Sequence, residues 1–162
     1  DLVVGRLAAP ERMTGLHFEP LYTEEVAFVV RSGHPLLNRR NFSLGEIANY
    51  TVLMPTQGAV IRPFVERLLL TNGIADLPKV VETVSDSFGR AYLERHDAIW
   101  IISRGIVLSE IQAGRFSTLA VDATETRGAV GLTTRAGEAP SVALSIMIAT
   151  IRDRVERSRR AL

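Results

Sequence analysis

Between residues 51 and 114 the same local pattern occurs three times: an apolar run, a small polar turn, then a helical spacing of apolar residues. No other feature constrains the fold as strongly. Thr51 to Met54 leads into Pro55-Thr56-Gln57-Gly58, Lys79 to Val84 into Ser85-Asp86-Ser87, and Ala98 to Ile102 into Ser103-Arg104-Gly105. Strand, turn and helix repeated in this order predict βαβ units, and so a mostly parallel sheet covered by helices. In the first helix Ile61, Phe64, Val65, Leu68 and Leu69 fall on one face. Pro63 is tolerated because it lies in the first turn, and Gly73 supplies the stop. The second helix runs through Tyr92 and the third ends at Gly114.

The flanking segments read differently. Leu2 to Leu7 is expected as a short buried strand, and Ala8 to Gly15 as a loop. Residues 16–30 form one long extended stretch, with Pro20 at a bend or an edge position. Arg31 to Pro35 is a turn, and Ser43 with Glu46 nearly matches a capping box. Val130 to Thr134 is a further strand. The longest helix is expected over Ser141 to Leu162. Its apolar stripe is Leu144, Ile148, Ile151 and Val155, with Arg152–Glu156 and Asp153–Arg157 as charge pairs one turn apart.

Composition narrows the class. Of 162 residues 46% are hydrophobic, enough for a core, and the net charge of +1 gives no basic field that would draw this stretch to nucleic acid. The chain has no cysteine, which excludes disulfides and thiolate metal sites. No signal peptide opens it, and no apolar run approaches the roughly 20 residues of a membrane helix. These points give a cytoplasmic expectation. Asp1-Leu2-Val3-Val4-Gly5 enters a strand without an initiator methionine, and reads as the start of a fragment.

Candidate site residues come from topology. In an open α/β sheet, ligands bind beyond the carboxyl ends of the strands, and helix N-termini attract anions. The three junctions carry Thr56 with Gln57, Ser85 with Ser87, and Ser103. Arg6 and Arg104 stand at strand ends, where a guanidinium can grip a carboxylate through two parallel hydrogen bonds. Together they suit a small carboxylate. Each residue also has a plainer reading, the hydroxyls as N-caps and the arginines as surface ion-pair formers.

Catalytic machinery is not legible. His17, His34 and His96 are scattered and share no metal-ligand spacing, so neither metal nor cofactor is expected. Ser85 has no triad context and there is no nucleophile elbow. His34, before Pro35, reads as structural, and Trp100 as core. Glu24-Glu25 and Asp122 to Glu125 read as solvated charges. The basic tail from Arg152 to Arg160 alternates with acids and reads as a solvated helix face.

DLVVGRL, the extended stretch after it and the turn RSGHPLL together resemble the effector-binding domain of LysR-type transcription regulators. Within that family, MTGL at 13–16, VSDSFGRAY at 84–92, AIWIISRG at 98–105 and GLTTRAG at 131–137 are similar to regulators of protocatechuate (pca) operons. The branch that regulates sugar uptake shares part of this text.

The resemblance implies a periplasmic-binding-protein-like α/β fold of type 2, with two Rossmann-like lobes joined by two crossover strands. Residues 25–127 would be the second lobe, and 1–24 with 128–162 an incomplete first lobe. By the same resemblance the winged helix-turn-helix, its linker helix and the opening β-α-β-α part of the first lobe lie outside this sequence. It further implies a small carboxylate effector such as a carboxymuconate, promoter DNA met through the helix-turn-helix, and a homodimer or tetramer without membrane contact. Arg6, Thr56, Gln57, Ser103 and Arg104 match family cleft positions, and the chain is expected not to be an enzyme. The competing expectation is a transport-type solute-binding protein of the same fold.

Overall fold

The computed structural model describes residues 1–160, with side chains through Ser158. In chain order the described strands are β1 (Leu2–Arg6), β2 (Leu16–Glu24), β3 (Val26–Arg31), β4 (Thr51–Met54), β5 (Val80–Glu82), β6 (Ala98–Ser103), β7 (Phe116–Thr118) and β8 (Gly128–Arg135). The α-helices are α1 (Arg62–Thr71), α2 (Asp86–Arg95), α3 (Leu108–Gln112) and α4 (Val142–Arg160). The chain divides into a large unit, Glu25–Arg127, and a small unit made of Asp1–Glu24 and Gly128–Leu162.

The large unit holds one five-stranded sheet in the order β5-β4-β6-β3-β7. It is mixed, where a mostly parallel sheet was expected. β4 runs parallel to β5 and β6, but β3 is antiparallel to both β6 and β7. β3 is fed directly by the extended crossing stretch, so no helix intervenes to turn it parallel.

Both faces of this sheet are covered, which explains its unbroken apolar runs. The two-residue period sends alternate side chains to opposite cores. Val26, Phe28, Val30, Val52, Met54, Ile99 and Ile101 pack with Val65, Leu68 and Leu69 of α1. Ala27, Val29, Leu53, Ala98 and Trp100 pack with Leu93 of α2 and with Val107 and Phe116. Helix α2 lies close on the sheet because Gly89 faces Trp100, where an added Cβ would stand 2.6 Å from the indole ring.

Several local expectations need correction. Helix α1 starts only at Arg62, because Pro63 at its second position fixes the entry and 55–61 form a loop. Phe64 is 38% exposed and so lies off the core face. Helix α2 extends past Tyr92 to Arg95. A 3-10 turn, Arg104–Val107, separates β6 from the short α3. β7 was not foreseen, having only three residues and no alternation to mark it.

The small unit is a three-stranded antiparallel sheet, β1-β8-β2, with α4 on it. Leu144, Ile148, Ile151 and Val155 of α4 pack on Leu2, Leu21 and Leu132, as the stripe predicts. Leu144 N–H donates to Ser141 Oγ at 3.2 Å, so Ser141 caps the helix. The expected end at Leu162 lies outside the described residues. β1 is not buried: it is an edge strand, with Val3 61% and Val4 55% exposed. Pro20 does mark an irregularity, since the pairing of β2 with β8 shifts register between Pro20 and Tyr22. Gly131 lies at this bulge, and an added Cβ there would run into the Glu19 carbonyl. Asp153 and Arg157 pair as expected, whereas Arg152 sends both its Nε and Nη2 to the Glu19 carboxylate on β2, at 2.7 and 2.6 Å.

Candidate functional site

The parallel pairing of β5, β4 and β6 puts the three strand-to-turn junctions on one edge of the large unit's sheet. In strand order they are Ser85 and Ser87 after β5, Thr56 and Gln57 after β4, and Ser103 with Arg104 at the end of β6. The antiparallel β3 begins at the same edge, with Val26 opposite Ser103. Six of the seven expected residues therefore share one edge. Arg6, at the end of β1, belongs to the small unit.

The junctions differ chemically. Ser85 is a true N-cap of α2, its Oγ accepting from Phe88 N–H at 3.3 Å, and it lies 3.1 Å from Ser87 Oγ. Both serines are exposed. Asp86, beside them, forms an ion pair with Arg90 at 2.8 Å, and that hydrogen bond holds the carboxyl below the usual range. Thr56 and Gln57 cap nothing. They sit in the loop before α1, where Thr56 carbonyl oxygen accepts from Ala59 N–H and Gln57 is exposed. Their expected role at a helix start is replaced by loop placement.

Ser103 is buried and makes no cap bond. The helix that follows is too short, and too far along, to lend a dipole to this junction. Attraction for an anion here rests on Arg104 itself. Arg104 is exposed, its backbone N–H donates to Glu25 carbonyl oxygen at 3.2 Å, and its guanidinium has no hydrogen-bond or ion partner among the described residues.

Arg6 is placed otherwise. Its side chain is 7% exposed, its Nη2 donates to the Glu24 carbonyl oxygen at 2.9 Å, and its Nε stands 3.7 Å from Glu24 Oε1. Burial pulls its pKa down, and the Glu24 carboxylate opposes that. Glu24 is therefore not the solvated charge expected, because its side chain is 15% exposed and faces Arg6. The sequence could not show this, since Arg6 and Glu24 meet only when β1 and β2 flank the same strand.

Sequence reasoning also passed over Arg62. Buried at the start of α1, it bonds Glu66 at 2.7 Å, the Pro55 carbonyl oxygen at 2.7 Å and Glu82 at 2.6 Å. It thereby ties the loop after β4 to the end of β5, and holds the Thr56–Gln57 junction in place. His34 is structural, as expected. It is fully buried, Nδ1 accepts from Leu36 N–H at 3.2 Å, and its ring lies 4.7 Å from that of Tyr50. Two hollows within the units hold none of the seven residues. One, of about 630 Å³, lies between α4 and its sheet and is framed by the Glu19–Arg152 and Asp1–Arg135 pairs. The other, of about 300 Å³, lies beside Arg62 and Leu77. Among the described residues no group of histidines and acids could hold a metal ion, and no helix is long and apolar enough to cross a membrane.

Comparison with known proteins supplies the family. The LysR substrate binding domain matches residues 1–156, and the chain belongs to that family. It is 52% identical over 153 residues to the HTH-type transcriptional regulator PcaQ of Agrobacterium fabrum, covering 94% of this chain and 49% of PcaQ. The chain thus spans about half the length of that curated relative. Among solved structures, the regulatory domain of Synechocystis PCC6803 CcmR in complex with 2-PG superposes with a TM-score of 0.71 at 17% identity, over 96% of this chain and 73% of that one. The effector binding domain of QuiR in complex with shikimate gives 0.67 at 20% identity, over 90% and 66%. The fold is that of LysR effector-binding domains, as the resemblance implied.

Proposed function

We propose that this chain is the effector-binding part of a transcription regulator, and that it senses a small carboxylate arising in protocatechuate breakdown. The observation that carries this reading is Arg104. It is an exposed guanidinium without a side-chain partner among the described residues, on the sheet edge that also bears Thr56, Gln57, Ser85, Ser87 and Ser103. An unpaired cation beside several hydroxyl and amide groups suits an anion with more than one oxygen-rich end. The similarity to PcaQ points to the pca branch, and shikimate, itself a carboxylic acid, occupies a domain of this fold in QuiR.

The reading places Arg104 as the first carboxylate ligand, with Ser103, Thr56, Gln57, Ser85 and Ser87 as hydrogen-bonding neighbours. Binding biases the protein between two arrangements only through different affinity for each. The proposal extends to promoter contact through a helix-turn-helix, which the name of the HTH-type regulator PcaQ supports, to self-association as a dimer or tetramer, and to a cytoplasmic role without enzymatic turnover.

A thermal-shift screen against carboxymuconate, muconate and protocatechuate tests the reading. A ligand at 100 times its dissociation constant adds about 2.7 kcal/mol, which raises the melting temperature of a chain this size by several degrees. A selective rise with carboxymuconate that Arg104→Ala abolishes supports the assignment. A rise that survives Arg104→Ala refutes the site, and no rise with any of the three refutes the effector class.

A further inference from the structure

Arg90, in the middle of α2, sends each of its guanidinium nitrogens to a different acceptor. Nη1 donates to Asp86 Oδ2 at 2.8 Å, Nε to Glu110 Oε1 at 2.7 Å, and Nη2 to the Ile106 carbonyl oxygen at 2.6 Å. Asp86 opens α2 between Ser85 and Ser87, Ile106 belongs to the 3-10 turn that Arg104 begins, and Glu110 lies in α3. One side chain therefore binds the turn after β6 to the helix that starts after β5. Those two junctions stand at the same sheet edge, with the end of β4 between them. All of these residues belong to the large unit.

The turn needs such a hold. Ser103 lends it no side-chain cap bond, and Gly105 gives it no side chain to pack. Its first residue is fixed by the bond from Arg104 N–H to the Glu25 carbonyl oxygen, and further along Arg90 fixes the Ile106 carbonyl. A backbone held on both sides of Gly105 limits where the Arg104 side chain can reach. Glu110 steadies the guanidinium in turn. It is buried, also accepts from Ser109 Oγ at 2.9 Å, and keeps its charge there only with a cation beside it. Asp86 holds Nη1 from one helical turn away, and the charge of Arg90 offsets the acid that stands between the two serines. Both carboxyls are held below their usual range, first by the hydrogen bond from Arg90.

We propose that Arg90 is the positioning residue of the carboxylate site: it holds the Arg104 turn against the first turn of α2, so that Arg104 and the Ser85–Ser87 pair meet one effector in a fixed arrangement. This rests on the reading of that edge as the site of a carboxylate sensor. Arg90 does not touch the effector and acts through Arg104. Three acceptors around one planar cation are matched by arginine and not by lysine, whose single ammonium keeps the charge and loses the fork. A turn set in advance reduces the ordering that binding would otherwise require.

The test compares Arg90→Lys with Arg31→Lys, a control whose Asp97 pair lies at the opposite end of β3 and β6. Without ligand, backbone hydrogen exchange over residues 104–108 is expected to quicken in Arg90→Lys and to keep the wild-type rate in Arg31→Lys. In calorimetric titration Arg90→Lys should bind carboxymuconate about tenfold more weakly, the loss of one well-placed hydrogen bond to a charged group. Because the effect runs through Arg104, Arg90→Lys combined with Arg104→Lys should weaken binding by less than the product of the two single losses. A residue that merely supports the fold would give the full product. Unchanged exchange, wild-type affinity in Arg90→Lys, or the full product overturns the inference. Failure of the sensor reading looks different: the wild type binds no carboxylate, while exchange still separates the two lysine variants. That outcome removes the site, and the inference with it, but leaves Arg90 as the anchor of the turn. Should Arg90→Lys not fold, side-chain NMR of the wild type decides. The Arg90 Nε–Hε group is expected to be as rigid as the backbone around it, and a mobile one overturns the inference.

Discussion

The large and small units differ most in how their strands spend apolar residues. In the large unit β3 and β6 are buried along nearly their whole length, because α1 covers one face and α2 the other. In the small unit β1 is an exposed edge, β2 is mostly solvent-facing, and one helix closes one face over a core centred on Leu21, Leu132 and Ile148. The same two-residue strand period underlies both. What differs is whether the second face has a partner. Each unit also fixes its crossing strands by a polar device. In the large unit Thr126 Oγ1 accepts from Val26 N–H at 3.0 Å and donates to the Ala123 carbonyl oxygen, while in the small unit Arg6 engages Glu24.

The sharpest way to break the comparison is to hollow each core in turn. Phe28→Ala in the fully packed large unit should cost about 3–5 kcal/mol, whereas Ile148→Ala under α4 should cost about 2 kcal/mol. Chemical denaturation followed by Trp100 fluorescence should show the first loss at the indole and little of the second. Equal costs would remove the contrast between the units. A smaller effect, about 1–3 kcal/mol, is expected for Gly89→Ala, whose Cβ must push the Trp100 ring aside, with a shifted emission maximum as the accompanying sign.

Acid should act on the large unit through His34. Burial lowers the pKa of this ring from its usual value near 6.5, so the unfolded chain takes up a proton that the folded one refuses. The stability tied to the neutral ring is complete above about pH 6.5 and is lost as the pH falls from there through the lower folded value. Melting curves from pH 7.5 to 5 should slope downward in the wild type and flatten in His34→Asn; parallel slopes would contradict this account. At the small end, Val142→Ser on the exposed first turn of α4, where the side chain is 78% exposed, should change stability by less than about 0.5 kcal/mol.

Much of this was legible in the sequence where the period was strong. The βαβ segments, the α4 stripe and the Pro20 irregularity all follow from local spacing and backbone chemistry. Three kinds of feature escaped. The antiparallel course of β3 depends on connection, not on its own residues. The exposure of Val3 and Val4 depends on what covers the second face of β1, which an apolar run cannot report. The Arg6–Glu24 and Arg62–Glu82 pairs join residues 18 and 20 apart, through strands whose order is set only by the whole sheet. The candidate edge itself was readable, because topology alone gathers Thr56, Ser85 and Ser103. Which of its groups are already engaged was not.

The most direct test is a crystal structure of this chain grown with saturating carboxymuconate. The account predicts a ligand carboxylate within hydrogen-bond distance of the Arg104 guanidinium, with Ser103, Thr56 or Ser85 donating to the same molecule. A ligand seated instead in the hollow between α4 and its sheet, with Arg104 untouched, would contradict it.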